Sequence, residues 1–152
     1  FNQKEILEIF NNLKNEYSFK DLNIIFEVSQ IYKNKYEFIN FGSCIQYIDN
    51  YSEILNNITN VSKNYIFFSA TTLYNSKDKN FNKNIVVKQI NLLPTIFYMY
   101  FFDREHFSQY FLKKNYFLLF EKKNLTENIN YDNFKNLLKS TQYTDVMFSK
   151  KY

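Results

Sequence analysis

The 152-residue chain contains one glycine, one proline and one cysteine. A single cysteine cannot form an intramolecular disulfide, and so little glycine and proline excludes collagen-like and disulfide-rich architectures. The longest uninterrupted apolar stretch, 96–102, is far shorter than the roughly 18 residues that a membrane-spanning helix needs. The amino-terminal residues also lack the basic and then apolar pattern of a secretion signal. These absences predict a soluble protein of the reducing cytoplasm without a membrane span.

Arginine is almost absent as well. Eighteen of the nineteen basic residues are lysines, and Arg104 is the exception. Nucleic-acid-binding surfaces usually cluster Lys and Arg, with Arg prominent where bases and phosphates are bound. Here the lysines are spread along the chain as singles and pairs, and the formal net charge is only +4. A genome rich in A and T accounts for the many Asn, Lys, Ile, Phe and Tyr codons, so we predict no nucleic-acid partner.

The residues that are abundant are large and apolar, and a chain of this length can bury them in one core. The spacing of apolar residues and the positions of turn-forming residues predict alternating helices and strands. They also predict a polar loop over 73–84 and a helix cap at Asp103. The predicted helices are 3–17, 51–60, 103–114 and 131–139, and the predicted strands are 22–26, 36–41, 65–69, 85–90, 116–121 and 144–149. Alternation of this kind predicts an α/β fold. No break in composition marks a second domain, so we predict that 1–152 is a single domain.

From residue 36 onward this order resembles the carboxyl half of a class I S-adenosylmethionine-dependent methyltransferase. That fold has a central strand, a helix, a second strand, a substrate loop (here 73–94), another helix and a closing antiparallel strand pair. Two short motifs, FGSCIQYI at 41–48 and YIFFSATTL at 65–73, are similar to a methyltransferase family of bacterial surface-polysaccharide gene clusters. That family has an arginine in the turn where this chain has Ala70, Thr71 and Thr72. The resemblance implies a partial Rossmann-like sheet with flanking helices.

The same resemblance implies S-adenosylmethionine as the cofactor and a hydroxyl or related group of a surface glycan, or of its small-molecule precursor, as the methyl acceptor. One part of the pattern is missing, because the only glycine, Gly42, does not follow the first strand, where the fold has its glycine-rich cofactor turn. Phe1 is also not an initiator methionine. We therefore expect the chain to be the carboxyl part of a methyltransferase-like domain. An amino-terminal segment or a partner chain is then expected to cover the open edge of the strand at 36–41.

Ligands of open α/β sheets bind beyond the carboxyl ends of the strands. The residues that follow the strands at 36–41 and 65–69 are therefore the candidates for the site. We predict cofactor binding by Gly42 and Ser43 and substrate binding by Gln46, Tyr47, Thr71 and Thr72. Each has an ordinary alternative: a left-handed turn for Gly42, capping for Ser43 and Gln46, and packing for Tyr47.

Few side chains offer further chemistry. His106 is the only histidine, hence a candidate general base, against a surface or packing role in the middle of a predicted helix. Cys44 is expected to be a small buried residue. The aromatic residues of 97–102 could line a ligand site, but core packing is the simpler interpretation. No His, Cys or acidic cluster has metal-ligand spacing, so no metal site is predicted.

The leading hypothesis is therefore a methyltransferase whose cofactor-binding half lies outside these residues. The alternative is a catalytically inactive methyltransferase-like module that serves as a structural or binding subunit, which the missing arginine favours. An unrelated α/β binding domain is a third possibility.

Overall fold

A computed structural model describes residues 3–17, 27–76, 84–92, 95–125 and 141–152 of the chain. These residues fall into two compact units, Phe1–Asn34 and Lys35–Tyr152. The strand predicted at 22–26 and the helix predicted at 131–139 lie outside the described residues. The single domain over 1–152 stays a prediction.

The described residues of the first unit form two helices, α1 (Gln3–Glu16) and α2 (Val28–Ile31). The prediction of a helix at 3–17 is confirmed. Ile6, Ile9 and Leu13 recur at the three- and four-residue spacing that puts side chains on one face of a helix. Glu5 in the first turn and Lys14 in the last complement the helix dipole. No helix in the described part of the chain is long and apolar enough to cross a membrane.

The second unit is a mixed α/β structure, which confirms the predicted fold class. Its elements in chain order are β1 (Tyr36–Gly42), α3 (Tyr51–Val61), β2 (Ser62–Tyr74), β3 (Ile85–Leu92), β4 (Thr95–Asp103), α4 (Arg104–Lys113), β5 (Tyr116–Lys123) and β6 (Gln142–Lys150). A short 3₁₀ turn, Ile45–Tyr47, follows β1. The two helices and the five strands predicted over these residues are all present.

The central strand of the sheet is β2. Strand β1 runs parallel to its first part, from Tyr36 opposite Ser62 to Gly42 opposite Ser69. Strand β6 lies antiparallel on the other side of β2, and β5 lies antiparallel beyond β6. The resulting order, β1-β2-β6-β5, is the one expected for the carboxyl half of a class I methyltransferase sheet with its closing antiparallel pair.

A hairpin of β3 and β4 joins the far end of β2. Its connection to β2 is parallel and short, since it pairs only Leu73 with Phe102 and Tyr74 with Asp103. Strand β2 therefore runs five residues beyond its predicted end, and the prediction that the loop begins at residue 73 is wrong. The extension forms because β6 pairs with β2 as far as Leu73. The predicted substrate loop at 73–94 thus contains a strand, β3, as expected.

Aromatic packing holds α4 on the sheet. The Phe111 ring of α4 stacks on Phe148 of β6 with centroids 4.1 Å apart, and Phe68 of β2 lies 5.5 Å from Phe111. All three rings are buried, and each contributes about 1.5–3 kcal/mol through apolar burial. Helix α3 buries Leu55 and Ile58.

Strand β4 was missed because 96–102 is apolar at every position and shows no period of two. Its first part is exposed, at Ile96, Phe97 and Tyr98, and its second part is mostly buried. Met99 and Phe101 are buried with Tyr74 and Val87, whereas Tyr98 is exposed. The aromatic run is therefore largely core from Met99 onward, as the simpler interpretation held.

Candidate functional site

The candidate site is built where β1 ends beside Ser69 of β2. The amide of Ser43 donates to the carbonyl of Ser69 at 3.0 Å, so the parallel pairing continues one residue past β1. Ser43 then adopts a left-handed backbone conformation, with φ of 50°, and so does Ala70 on β2, with φ of 46°. We call Gly42, Ser43, Ser69 and Ala70 the rim of the site.

The backbone of Gly42 does not have the conformation that its ordinary interpretation predicted. Its φ is not positive, so the alternative of a left-handed glycine turn is wrong, and the left-handed residue is Ser43. A Cβ added at Gly42 would meet only the Ser69 hydroxyl oxygen, at 4.0 Å. Neither backbone strain nor packing within the described residues therefore requires glycine here. The absence of a side chain leaves the backbone of this exposed position open to a ligand.

Gln46 links the two sides of the rim. Its side chain is fully buried, and its Nε2 donates to the carbonyl of Ala70 at 3.1 Å and lies 3.5 Å from the Ser43 hydroxyl. Its Oε1 has no hydrogen-bond partner among the residues that the structure describes. Gln46 thus contacts protein groups, and its predicted contact with substrate stays a prediction.

Thr71 and Thr72 are also fully buried. The Thr72 hydroxyl donates to the carbonyl of Tyr100 at 2.5 Å, which ties the end of β2 to β4. The Thr71 hydroxyl finds no partner within the described ranges. Both threonines follow Ala70 of the rim, and their side chains are enclosed by the fold, so their contact with substrate stays a prediction.

Asp145 on β6 belongs to the same cluster and was not among the residues predicted from the sequence. Its Oδ1 accepts from the amide of Ala70 and from Asn124 Nδ2, each at 2.9 Å. Asp145 and Ala70 are 75 positions apart in the chain, so only the pairing of β6 with β2 brings them together. The available signal was that Asp145 is the only acidic residue of the predicted strand at 144–149.

The other predicted residues lie at different places. Tyr47 is 40% exposed in the turn after β1. His106 is exposed on α4 and lines a pocket of about 90 Å³, whose other lining residues include Tyr51, Asn84, Phe102 and Tyr110. Its role as a base stays a prediction. Cys44 is half-buried, and this burial raises the pKa of its thiol above the ordinary 9.0, which keeps it protonated at neutral pH.

The polar and charged side chains at the start of α4 have structural roles. Asp103 is buried, and its Oδ1 caps α4 by accepting from the amide of His106 at 2.8 Å, as predicted. Asn84 bridges two elements, because its Nδ2 donates to the Tyr51 hydroxyl and its Oδ1 accepts from the amide of Asp103. Arg104 forms an ion pair with Glu121 of β5. No group of three or more His, Cys, Asp or Glu side chains in the described ranges could hold a metal ion.

The fold is similar to that of solved S-adenosylmethionine-dependent methyltransferases. One, from Clostridium acetobutylicum ATCC 824, matches with a TM-score of 0.56 and 11% identity over 99% of this chain and 73% of its own. Another, from Listeria monocytogenes and described as a putative enzyme of this class, matches with a TM-score of 0.53 and 13% identity over 78% of this chain and 63% of its own. At these identities the similarity concerns the fold. No protein-family model and no curated protein sequence matches the chain.

Proposed function

We propose that this chain is the carboxyl part of an S-adenosylmethionine-dependent methyltransferase. The observation that carries the proposal is the strand order β1-β2-β6-β5, in which an antiparallel strand is inserted between parallel strands β2 and β5. Strand β1 ends at the rim, beside Ser69 of the parallel strand β2, and open α/β sheets bind ligands beyond the carboxyl ends of their strands. The proposal includes a cytoplasmic location.

The rim suits the cofactor in one respect. The open space over Gly42 would let a flat or bulky ligand approach the backbone, and Ser43 beside it offers a hydroxyl. S-adenosylmethionine, when bound, supplies a methyl group on a sulfonium for in-line transfer. The exposed ring of Tyr47 is of the type that stabilises such a cation through its face. We assign Gly42 and Ser43 to the cofactor.

For the acceptor we propose a hydroxyl or related group of a surface glycan or its small-molecule precursor. This part rests on the motifs at 41–48 and 65–73. Tyr47 is exposed and is the candidate for direct contact with the acceptor. Gln46, Thr71 and Thr72 are buried and would act indirectly, by holding the backbone around the rim in place. His106 is the candidate base, through the pocket that it lines. Orientation of the acceptor against the methyl carbon supplies much of the rate in such a transfer.

The remaining half of the site would come from a further segment or a partner chain. Within the described residues, β1 pairs with β2 on one edge only, and its Phe38 side chain is 50% exposed. An apolar strand with an unpaired edge favours association, and natural proteins usually cover it. We propose that the cofactor-binding half covers this edge.

A second candidate is a catalytically inactive methyltransferase-like subunit. The specific observation in its favour is that Gln46 and Thr72 donate hydrogen bonds to backbone carbonyls of the protein, those of Ala70 and Tyr100. The segment 70–72 also lacks the arginine of the similar family. In this alternative the rim would be part of the fold but would not bind the cofactor.

Calorimetric titration with S-adenosylhomocysteine distinguishes the two candidates. The titration uses this chain and the longer protein that includes the covering half. We expect micromolar binding by the longer protein and a loss of at least about tenfold in Gly42→Val, because the new side chain occupies the open space without straining φ. Leu118→Val, at an exposed position of the outer strand β5, is the control and should bind normally. Absence of binding by both forms would favour the inactive subunit.

A further inference from the structure

We propose that Gln46 and Asp145 are positioning residues that hold Ala70 in its left-handed conformation and thereby set the shape of the rim. This inference rests on the proposed function, since it concerns the same site. It assigns a role to Asp145, and it gives Gln46 an indirect role in place of direct contact with substrate.

The first observation is the backbone of Ala70. A residue with a Cβ costs about 1–2 kcal/mol in the left-handed region, and Ala70 has φ of 46°. The pairing of β2 with β6 shifts register between Phe68 and Thr71, so Ala70 is left out of that ladder. Such a conformation persists only where the surroundings over-determine it.

The second observation is that two side chains take over the backbone groups of Ala70. Asp145 Oδ1 accepts from its amide at 2.9 Å, and Gln46 Nε2 donates to its carbonyl at 3.1 Å. The two come from opposite sides, since Gln46 follows β1 and Asp145 lies on β6. The two peptide groups that flank the Ala70 Cα are therefore each held by a side chain.

The orientation of the Gln46 amide is fixed by these contacts. Exchanging its nitrogen and oxygen would place Oε1 against the Ala70 carbonyl oxygen, and two acceptors repel each other. In the observed orientation Oε1 is buried without a partner among the described residues, which costs about 1–3 kcal/mol. The fold thus carries an unpaired acceptor and a strained residue at one point, as functional sites often do.

The clamp reaches both strands of the rim. Gln46 Nε2 also lies 3.5 Å from the Ser43 hydroxyl, and the Ser43 amide donates to Ser69 next to Ala70. Releasing Ala70 would therefore move the backbone beside Gly42.

The test combines Gln46→Leu with Ala70→Gly in the longer protein. Leucine keeps the approximate shape of glutamine but removes the donor, so we expect S-adenosylhomocysteine affinity to fall about tenfold. Glycine adopts the left-handed region without cost, so adding Ala70→Gly to Gln46→Leu should recover most of that loss. Asp145→Asn keeps the Oδ1 acceptor and should bind better than Asp145→Leu.

Tyr116→Phe is the control for stability alone, because it removes a buried hydroxyl at the other end of β2. If Gln46→Leu lowers Tm like Tyr116→Phe but leaves the affinity of the folded protein unchanged, the inference is overturned. It is equally overturned if Ala70→Gly restores nothing.

A readout without cofactor separates this inference from the proposed function. The ¹³Cα and ¹³Cβ chemical shifts of Ala70 in this chain report its backbone conformation, and Gln46→Leu should move them away from left-handed values. If the shifts move but the unsubstituted longer protein binds no S-adenosylhomocysteine, the positioning stands and the function is rejected. If the shifts do not move, the positioning is rejected.

Discussion

Single polar groups hold β2 at two places. In its carboxyl-terminal part the groups are Gln46 and Asp145, which clamp Ala70. At the amino end the group is the Tyr116 hydroxyl, which lies 3.3 Å from the carbonyls of both Thr59 and Ser62 and joins β5 to the junction of α3 and β2. Lys150 Nζ adds a second bond to the Ser62 carbonyl at 3.2 Å.

Replacing Tyr116 with Phe tests this amino-terminal contact. The ring stays in place, but the two buried carbonyls lose their shared donor, so we expect the free energy of unfolding to fall by about 1 kcal/mol. Urea denaturation at neutral pH measures the change. Tyr98→Phe removes an exposed hydroxyl and should stay within about 0.5 kcal/mol of the unsubstituted protein. Equal effects of the two substitutions would contradict the assignment.

Buried phenols also predict the pH dependence of stability. Burial raises the pKa of Tyr74, Tyr110 and Tyr116 above the ordinary value of 10.0, and it raises the pKa of the Cys44 thiol above 9.0. The unfolded chain therefore loses these protons at lower pH than the folded chain does. Because the unfolded state binds fewer protons in that window, the stability that these groups contribute is present below about pH 9 and is lost as the pH rises above it.

Urea unfolding from neutral pH to about pH 11 measures this alkaline loss. Tyr116→Phe should make the loss smaller, because one of the groups with a raised pKa no longer titrates. Stability that stays constant or rises over this range would show that the phenols are not buried as described.

At the scale of the elements, the sequence predicts what local spacing controls. Helices α3 and α4 could be placed because apolar residues recur every three or four positions and because Asp103 can cap the second of them. Strand β4 could not, since its uniform apolar run pairs with β3 only in the folded chain. The end of β2 was likewise misjudged, because β6 extends it from a distance in sequence.

The same division holds at the candidate site. The positions of Gly42, Ser43 and Gln46 after a strand could be read from the sequence. Their contacts could not be predicted, because the partner of Gln46 is Ala70, on another strand. The left-handed backbone of Ala70 cannot be recognised from the residue type alone. The clamp by Asp145 depends on a pairing across 75 positions.

The cap of α4 gives a prediction for a single element. Asp103→Ala removes the acceptor for the His106 amide, and we expect a loss of about 1 kcal/mol, toward 2 kcal/mol because the cap is buried. Asp103→Asn keeps an acceptor oxygen and should retain most of the stability. Thermal and urea unfolding measure both variants. If Asp103→Asn loses more stability than Asp103→Ala, the charge of Asp103 and not its capping hydrogen bond is the stabilising feature.

For the molecule as a whole, the important difference is between its central and outer strands. Strand β2 has β1 and β4 along one edge and β6 along the other, whereas β1 and β5 each have one neighbour among the described strands. Strand β5 also exposes four consecutive apolar side chains, Phe117, Leu118, Leu119 and Phe120. Amides with a partner on both sides of the strand open only when the sheet opens, while outer strands open locally.

Hydrogen exchange followed by mass spectrometry tests this picture together with the proposed covering half. In this chain alone, we expect peptides from β2 to exchange slowest and those from β1 and β5 to exchange through local opening. In the longer protein that includes the covering half, exchange in β1 should slow by at least about tenfold, because its free edge gains a partner, while β5 should be unchanged and so serves as the internal control. If protection appears at β5 instead, the partner binds the opposite edge, and the assignment of β1 as an interior strand of a methyltransferase sheet would be wrong.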